Sequence, residues 1–270
     1  MRSTRTLWIT AALLAVTVSG LGIVATSMDG QAITGDPGPS MDRAPFGPGE
    51  HAEYQVKLGG IGVGDGTMDI LDLATTGGYT TYHASLHVKG GIPLARVDTR
   101  LDTWLDVAGL FSRRFEQNQK EVRYRRHRIF NFSPETRTYQ QEGRDTVMTL
   151  PTDRPLDDVA FLYYARTLPL KVGDTYTIPR YFKEDGNPVV LKVLRKERIK
   201  VPAGEFNTIV VQPIIQTDGL FGEGGEAEVY FSDDERRMIV YLRSRVPIVG
   251  SLSLHLRSYE AGIPMPTRIR

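Results

Sequence analysis

From His51 the chain alternates without a break: Ala52, Tyr54, Val56 and Leu58 fall on one side, and His51, Glu53, Gln55 and Lys57 on the other. That period of two is the mark of a half-buried β-strand. Strand-like runs follow over 67–73, 79–88, 94–105 and 110–118, divided by Gly77-Gly78, Gly90-Gly91 and Ala108-Gly109. Glycines at such spacing punctuate an antiparallel meander. Extended segments are predicted again at 174–179, 189–199, 206–213, 227–231, 238–243 and 251–259. Pro202-Ala203-Gly204 and Ser232-Asp233-Asp234-Glu235 have turn composition. In the last segment Leu252, Leu254 and Leu256 alternate with Ser251, Ser253, His255 and Arg257. No repeat of solenoid or propeller length is present.

One segment has a different period. Pro155-Leu156-Asp157-Asp158 leads into 159–168, where Phe161, Leu162, Ala165 and Leu168 share a face at helical spacing, and Pro169 ends the run. Asp157 suits the N-cap, and Arg166 suits the negative end of the helix dipole. About three turns of helix packed on the sheet are expected. The predicted fold class is mainly β: a strongly curved antiparallel sheet or open β-barrel with one packed α-helix. A single antiparallel β domain is assigned to 50–260 and a tail to 261–270. Residues 28–49 carry Asp36-Pro37-Gly38-Pro39 and Pro45-Phe46-Gly47-Pro48-Gly49. They read as a Pro/Gly-rich linker, because proline withholds ladder donors and favours turns.

Ahead of that linker, Arg2 and Arg5 precede an uncharged run from Leu7 to Ala25, and small residues follow at Ala25 and Ser27. This is the order of a secretory signal peptide over residues 1–27. The run 7–25 is also close to the length of a membrane span, so an uncleaved N-terminal membrane anchor is the alternative. Either reading places the domain outside the cytoplasm, periplasmic or extracytoplasmic, the second holding it at the inner membrane. Nucleic-acid partners are not expected there. The chain has no cysteine, which excludes a lipid-modified N-terminus, disulfides, thiol nucleophiles and thiolate metal sites. With 33 basic and 32 acidic residues the net charge is small, so no global field favours a polyanion.

Chemical motifs are sparse. The run Gly59–Gly66 does not place glycines at the offsets of a dinucleotide fingerprint, and it leads into a strand, so a hairpin or sharp strand bend is expected. His83 and His87 lie four apart on a predicted strand, roughly 13 Å, too far to share a zinc. His51, His127 and His255 are scattered. Neither a nucleophile elbow nor a His-Glu-x-x-His motif occurs. No catalytic residue, metal site or cofactor is assigned, and a non-enzymatic protein is expected.

The strongest lead is basic. Arg113, Arg114, Lys120, Arg123, Arg125, Arg126 and Arg128 face only Glu116 and Glu121 in the same stretch. On a strand Arg123, Arg125 and His127 share one face, and Tyr124, Arg126 and Arg128 the other. Either face could hold an anionic group through arginine forks. The structural alternative is a solvated strand paired with Glu116, Glu121, Glu135 and Glu142. Arg123, Arg125, Arg126 and Arg128 are the candidate ligand-binding residues.

Several segments, taken in order, resemble one family. They are Pro45-Phe46-Gly47-Pro48-Gly49-Glu50 with the Gly59–Gly66 run, Pro155-Leu156-Asp157-Asp158 before Tyr163-Tyr164, and Leu170-Lys171-Val172-Gly173-Asp174. Val201-Pro202-Ala203-Gly204-Glu205-Phe206, Phe231-Ser232-Asp233-Asp234-Glu235-Arg236-Arg237 and Val246-Pro247-Ile248-Val249-Gly250 follow. Over roughly 45–260 the chain is similar to a bacterial family of exported proteins of unknown function, the DUF3108 group. The resemblance implies an envelope setting and a mainly antiparallel β domain, and it carries no catalytic residues across. The expected function is binding of an amphipathic or anionic envelope ligand, a lipid or an anionic glycan. The alternatives are a structural or assembly module with an envelope protein partner and, behind it, a hydrolase of envelope polymers.

Overall fold

The structure, a computed structural model, describes residues 30–92, 95–121, 124–215, 227–246 and 250–266. The strands are β1 (Ala32–Thr34), β2 (His51–Leu58), β3 (Ile61–Thr76), β4 (Tyr79–Ile92), β5 (Ala95–Asp106), β6 (Ser112–Glu121), β7 (Tyr124–Ser133), β8 (Thr138–Gln141) and β9 (Val147–Thr149). After helix α1 (Asp158–Ala165) come β10 (Thr175–Ile178), β11 (Val189–Val201), β12 (Gly204–Ile214), β13 (Glu228–Ser232), β14 (Ile239–Val246) and β15 (Gly250–Glu260). All fifteen strands form one sheet in the order β1-β10-β11-β12-β13-β14-β15-β2-β3-β4-β5-β6-β7-β8-β9. β1 lies parallel to β10, and the last strand pairs antiparallel with β2, from Leu252↔Leu58 to Glu260↔His51. β1 and β9 are left as edges, so the sheet is curved but not closed. The mainly β, one-helix architecture expected from the alternation is what forms.

The Gly59–Gly66 run divides in two. Gly59 and Gly60 make the β2–β3 turn with φ of 56° and 89°, and the remainder is strand, so β3 starts earlier than its apolar pattern indicates. Gly64 pairs with Gly90 across the β3–β4 ladder. A Cβ on Gly64 would stand 2.1 Å from the Lys89 carbonyl oxygen, so only glycine allows this approach.

The helix is shorter than expected and enclosed on every side. It spans Asp158–Ala165, and all of its residues are buried. Beyond it, N–H groups of Arg166, Thr167 and Leu168 bond the carbonyls of Tyr163, Tyr164 and Ala165. That i→i−3 tightening ends the α-helix a turn before Pro169. A helix without a wet face must satisfy its ends with protein. Asp157 Oδ1 accepts from the Val159 and Ala160 N–H groups, both at 2.9 Å. Its Oδ2 accepts from the Thr103 hydroxyl of β5 at 2.6 Å and the Ser112 hydroxyl of β6 at 2.7 Å. At the other end Arg166 donates to both oxygens of Glu50, at 2.6 and 2.9 Å, and to the Arg236 carbonyl at 3.0 Å.

The stretch expected as a linker is part of the packed domain. Gln31 N–H donates to Asp174 at 3.0 Å, and β1 extends the sheet. Asp36 lies 3.0 Å from Arg154 and 3.3 Å from Arg180. Ala44 and Phe46 are buried, with Phe46 edge-on to Tyr82 and Tyr163. The prolines do remove ladder donors; scattered backbone bonds, from Gly35, Ser40, Ala44 and Gly49, join the side-chain contacts in holding the strap. The expected tail docks on it as well: the Ile263 N–H reaches the Pro48 carbonyl at 3.0 Å and the Ala44 N–H the Met265 carbonyl at 3.1 Å. The signal or anchor assigned to 1–27, and residues 267–270, lie outside the described residues. No helix among the described residues is long and apolar enough to cross a membrane.

Asp157→Ala strands two hydroxyls and two helix N–H groups, and should cost about 2–4 kcal/mol in urea unfolding. Burial pushes the Asp157 carboxyl from 3.8 up to about 7, against the hydrogen bonds from Ala160, Thr103 and Ser112 that favour its charged form. Between those values the folded state holds a proton that the unfolded state has released, so stability falls as pH rises. Asp157→Asn cannot titrate. Relative to that variant, the native protein should lose stability between pH 4 and 7; a pH-independent difference contradicts the assignment.

Candidate functional site

Past the Asp157 end of α1, toward the β4–β5 and β6–β7 hairpins, the concave face changes character. Strand register sets the rows: Met68, Leu86, Leu101, Gln117 and Arg128 lie side by side, followed by Val88, Thr99, Gln119 and Arg126. Alternation puts Arg126 and Arg128 on the same face as Phe130 and Phe132. Those rings pack on Phe182 at centroid distances of 5.3 and 5.4 Å. Leu86, Val88 and Leu101 are buried, whereas Arg126 and Arg128 are half-buried. An apolar wall therefore meets a basic one.

Two cations stand out. The Arg128 guanidinium lies 5.6 Å from the Phe130 ring centroid, and Lys183 Nζ lies 5.3 Å from that of Phe182. No salt bridge to either residue occurs among the described residues. Arg128 Nε is enclosed without a hydrogen-bond partner, as is Oε1 of neighbouring Gln117. Burial lowers the pKa of Arg128, and the nearby charges of Arg126 and Arg144 add to this while Tyr181 and Asp158 oppose it. Lys183 is lowered by burial and then by Arg128, with Asp158 and Asp185 opposing. Half-buried, mutually repelling cations without a salt bridge are costly, and an anionic group placed between them would relieve that cost.

The basic stretch as a whole resolves into separate environments. Arg126 and Arg128 line the concave face; Arg125 is exposed on the outer face. Arg123 lies outside the described residues. Arg113 is buried between Asp106 at 3.1 Å and Glu135 at 2.6 Å. Arg114 sits between Glu116 and Glu142, and His127 bonds Glu116 at 2.8 Å. Cross-strand pairing with carboxylates thus accounts for part of the cluster; on the inner face Arg128 makes no salt bridge among the described residues. Lys183 and Gln117 were missed: neither stands in a basic or patterned segment, and only the chain returning beneath β7 brings Lys183 near Arg128.

Three histidines are each engaged by a neighbouring aspartate. His51 bonds Asp69, His83 bonds Asp102 at 3.2 Å, and His87 bonds Asp98 at 2.8 Å. No group of three or more metal-ligating side chains occurs among the described residues.

The fold described above is shared. A family model described as "Protein of unknown function (DUF3108)" matches residues 53–257, and the chain belongs to that family. No curated protein matches the sequence. Among solved structures the chain is similar to a β-barrel-like protein of domain of unknown function DUF1849 from Brucella abortus. The identity is 9%, the TM-score 0.50, and the match covers 78% of this chain and 97% of the other. A candidate lipoprotein from Parabacteroides distasonis matches at 11% identity and TM-score 0.31, over 82% and 100% of the two chains. A candidate exported protein with a YmcC-like fold from Bacteroides fragilis matches at 11% and 0.28, over 81% and 98%. The Brucella likeness supports the barrel-like fold alone.

An arginine retained for stability would be missed when replaced. Arg128→Met removes a half-buried, unpartnered charge and keeps the stem, so urea unfolding should show stability unchanged or raised by about 1 kcal/mol. A loss greater than that of an ordinary surface substitution would assign Arg128 a structural role.

Proposed function

We propose that this is an extracytoplasmic binding protein for an amphipathic anion, with no catalytic step. The apolar part of the ligand rests on Met68, Leu86, Val88 and Leu101, and its anionic head sits between Arg126, Arg128 and Lys183. One observation carries the reading: two half-buried cations on the concave face, Arg128 and Lys183, make no salt bridge among the described residues and stand next to an apolar wall. The secretory character of residues 1–27 supports the location. Arginine forks suit phosphate and carboxylate equally, so a lipid headgroup and an acidic glycan share the head chemistry and differ in the need for an acyl chain.

The test is calorimetric titration of the exported, purified protein with dodecyl phosphate, dodecyltrimethylammonium and glucuronate. Saturable binding of dodecyl phosphate alone is expected, weakened at least tenfold in Arg126→Ser/Arg128→Ser. Binding of glucuronate instead would move the ligand to the glycans. Equal binding of the cationic detergent, or no effect of the double variant, removes the proposal.

A further inference from the structure

A cavity lies at the opposite end of the strands from the basic pair, where β3 turns into β4 and β5 into β6. It encloses about 500 Å³ between the strap residues Pro37–Pro39, Tyr79, the 106–111 turn, and Asp153 and Arg154. That is within the range of small-molecule sites, roughly 300–1,000 Å³. Its aromatic floor is fixed: the Arg113 guanidinium is held between the Tyr79 ring, 3.5 Å from its centroid, and the Phe111 ring at 4.7 Å. The Tyr79 hydroxyl bonds Glu135, which also receives Arg113.

The charges around this cavity are unequal. Arg113 is neutralised by Asp106 and Glu135. Arg154 is engaged by Asp36 at 3.0 Å and by the Gly109 carbonyl at 2.8 Å. Asp106 is itself saturated, since its second oxygen accepts from the Ala108 and Gly109 N–H groups. Asp153 is exposed to the cavity and, among the described residues, has neither an ion-pair nor a hydrogen-bond partner. An entering anion would have to displace a carboxylate already bound to arginine. An entering cation finds a free carboxylate bordered by proline and aromatic surface.

We infer that this cavity is a second ligand site, for a small organic cation. An ammonium or guanidinium group pairs with Asp153, and its apolar body lies against Pro37, Pro39 and Phe111. The site is independent of the concave basic pair: it uses other residues at the other end of the sheet and takes the opposite charge.

Benzylamine is the probe, with benzyl alcohol and benzoate as matched neutral and anionic controls, followed by protein-observed NMR on the exported protein. Saturable shifts confined to Tyr79, the 106–111 turn and Asp153 are expected for benzylamine alone. Asp153→Asn should weaken its binding at least threefold. Ala108→Trp, which fills the space from an exposed lining position without touching a charge, should abolish it. Neither change should alter the binding of dodecyl phosphate, which checks that the variants are folded. Equal binding of benzyl alcohol or benzoate, or benzylamine binding unaffected by Ala108→Trp, would overturn the assignment.

Discussion

A helix with no face in water is the constraint around which this molecule is built. Burying all of Asp158–Ala165 removes the usual recourse of frayed ends to solvent. The chain answers with Asp157 bonded to Thr103 and Ser112 at one end, and the Arg166–Glu50 pair at the other. Tyr181 adds a hydroxyl to Asp158, and Tyr163 one to the Asp69 carbonyl of β3. These contacts tie the helix to β3, β5, β6 and the strap at once. A buried polar network of this kind fixes one arrangement, because every displaced member leaves an unpaired group in a low-dielectric interior. The helix therefore fixes where β3, β5 and β6 sit around it.

Much of this was legible in the chain, for a reason that also explains the failures. Period-two alternation reports burial of one face, so long strands such as His51–Leu58 and Gly250–Glu260 announced themselves. β1, β8 and β9 have three or four residues, too few for a period to register. The Asp157 cap could be foreseen from its neighbours, but the enclosure of the helix could not, since it depends on which strands surround it. The strap was misread because proline and glycine report what backbone ladders are refused, not whether Ala44 and Phe46 find a core.

The basic stretch shows the same division. Faces followed from alternation, and Arg126 and Arg128 did separate from Arg125. Arg113 escaped that rule because the β5–β6 register shifts between Trp104 and Leu105, where Ser112 replaces the expected partner. The bulge lets Ser112 and Arg113 both turn inward, one to the helix cap and one to Asp106. A near-neutral total charge concealed the outcome: carboxylates meet histidine and arginine across the strands, while Arg128 on the inner face makes no salt bridge among the described residues.

The docked strap also settles how long a leash the domain can have. Gly30 already abuts Gly173 so closely that a Cβ would fall 2.0 Å from its carbonyl oxygen. Five residue steps separate Gly30 from Ala25, the end of the apolar run, and extended chain covers at most about 18 Å in that distance. Were the run retained in a bilayer, the domain could not roam the space above it. It would ride at the headgroup layer with the β1–β10 margin lowermost, and what it meets would be decided by lateral diffusion in two dimensions.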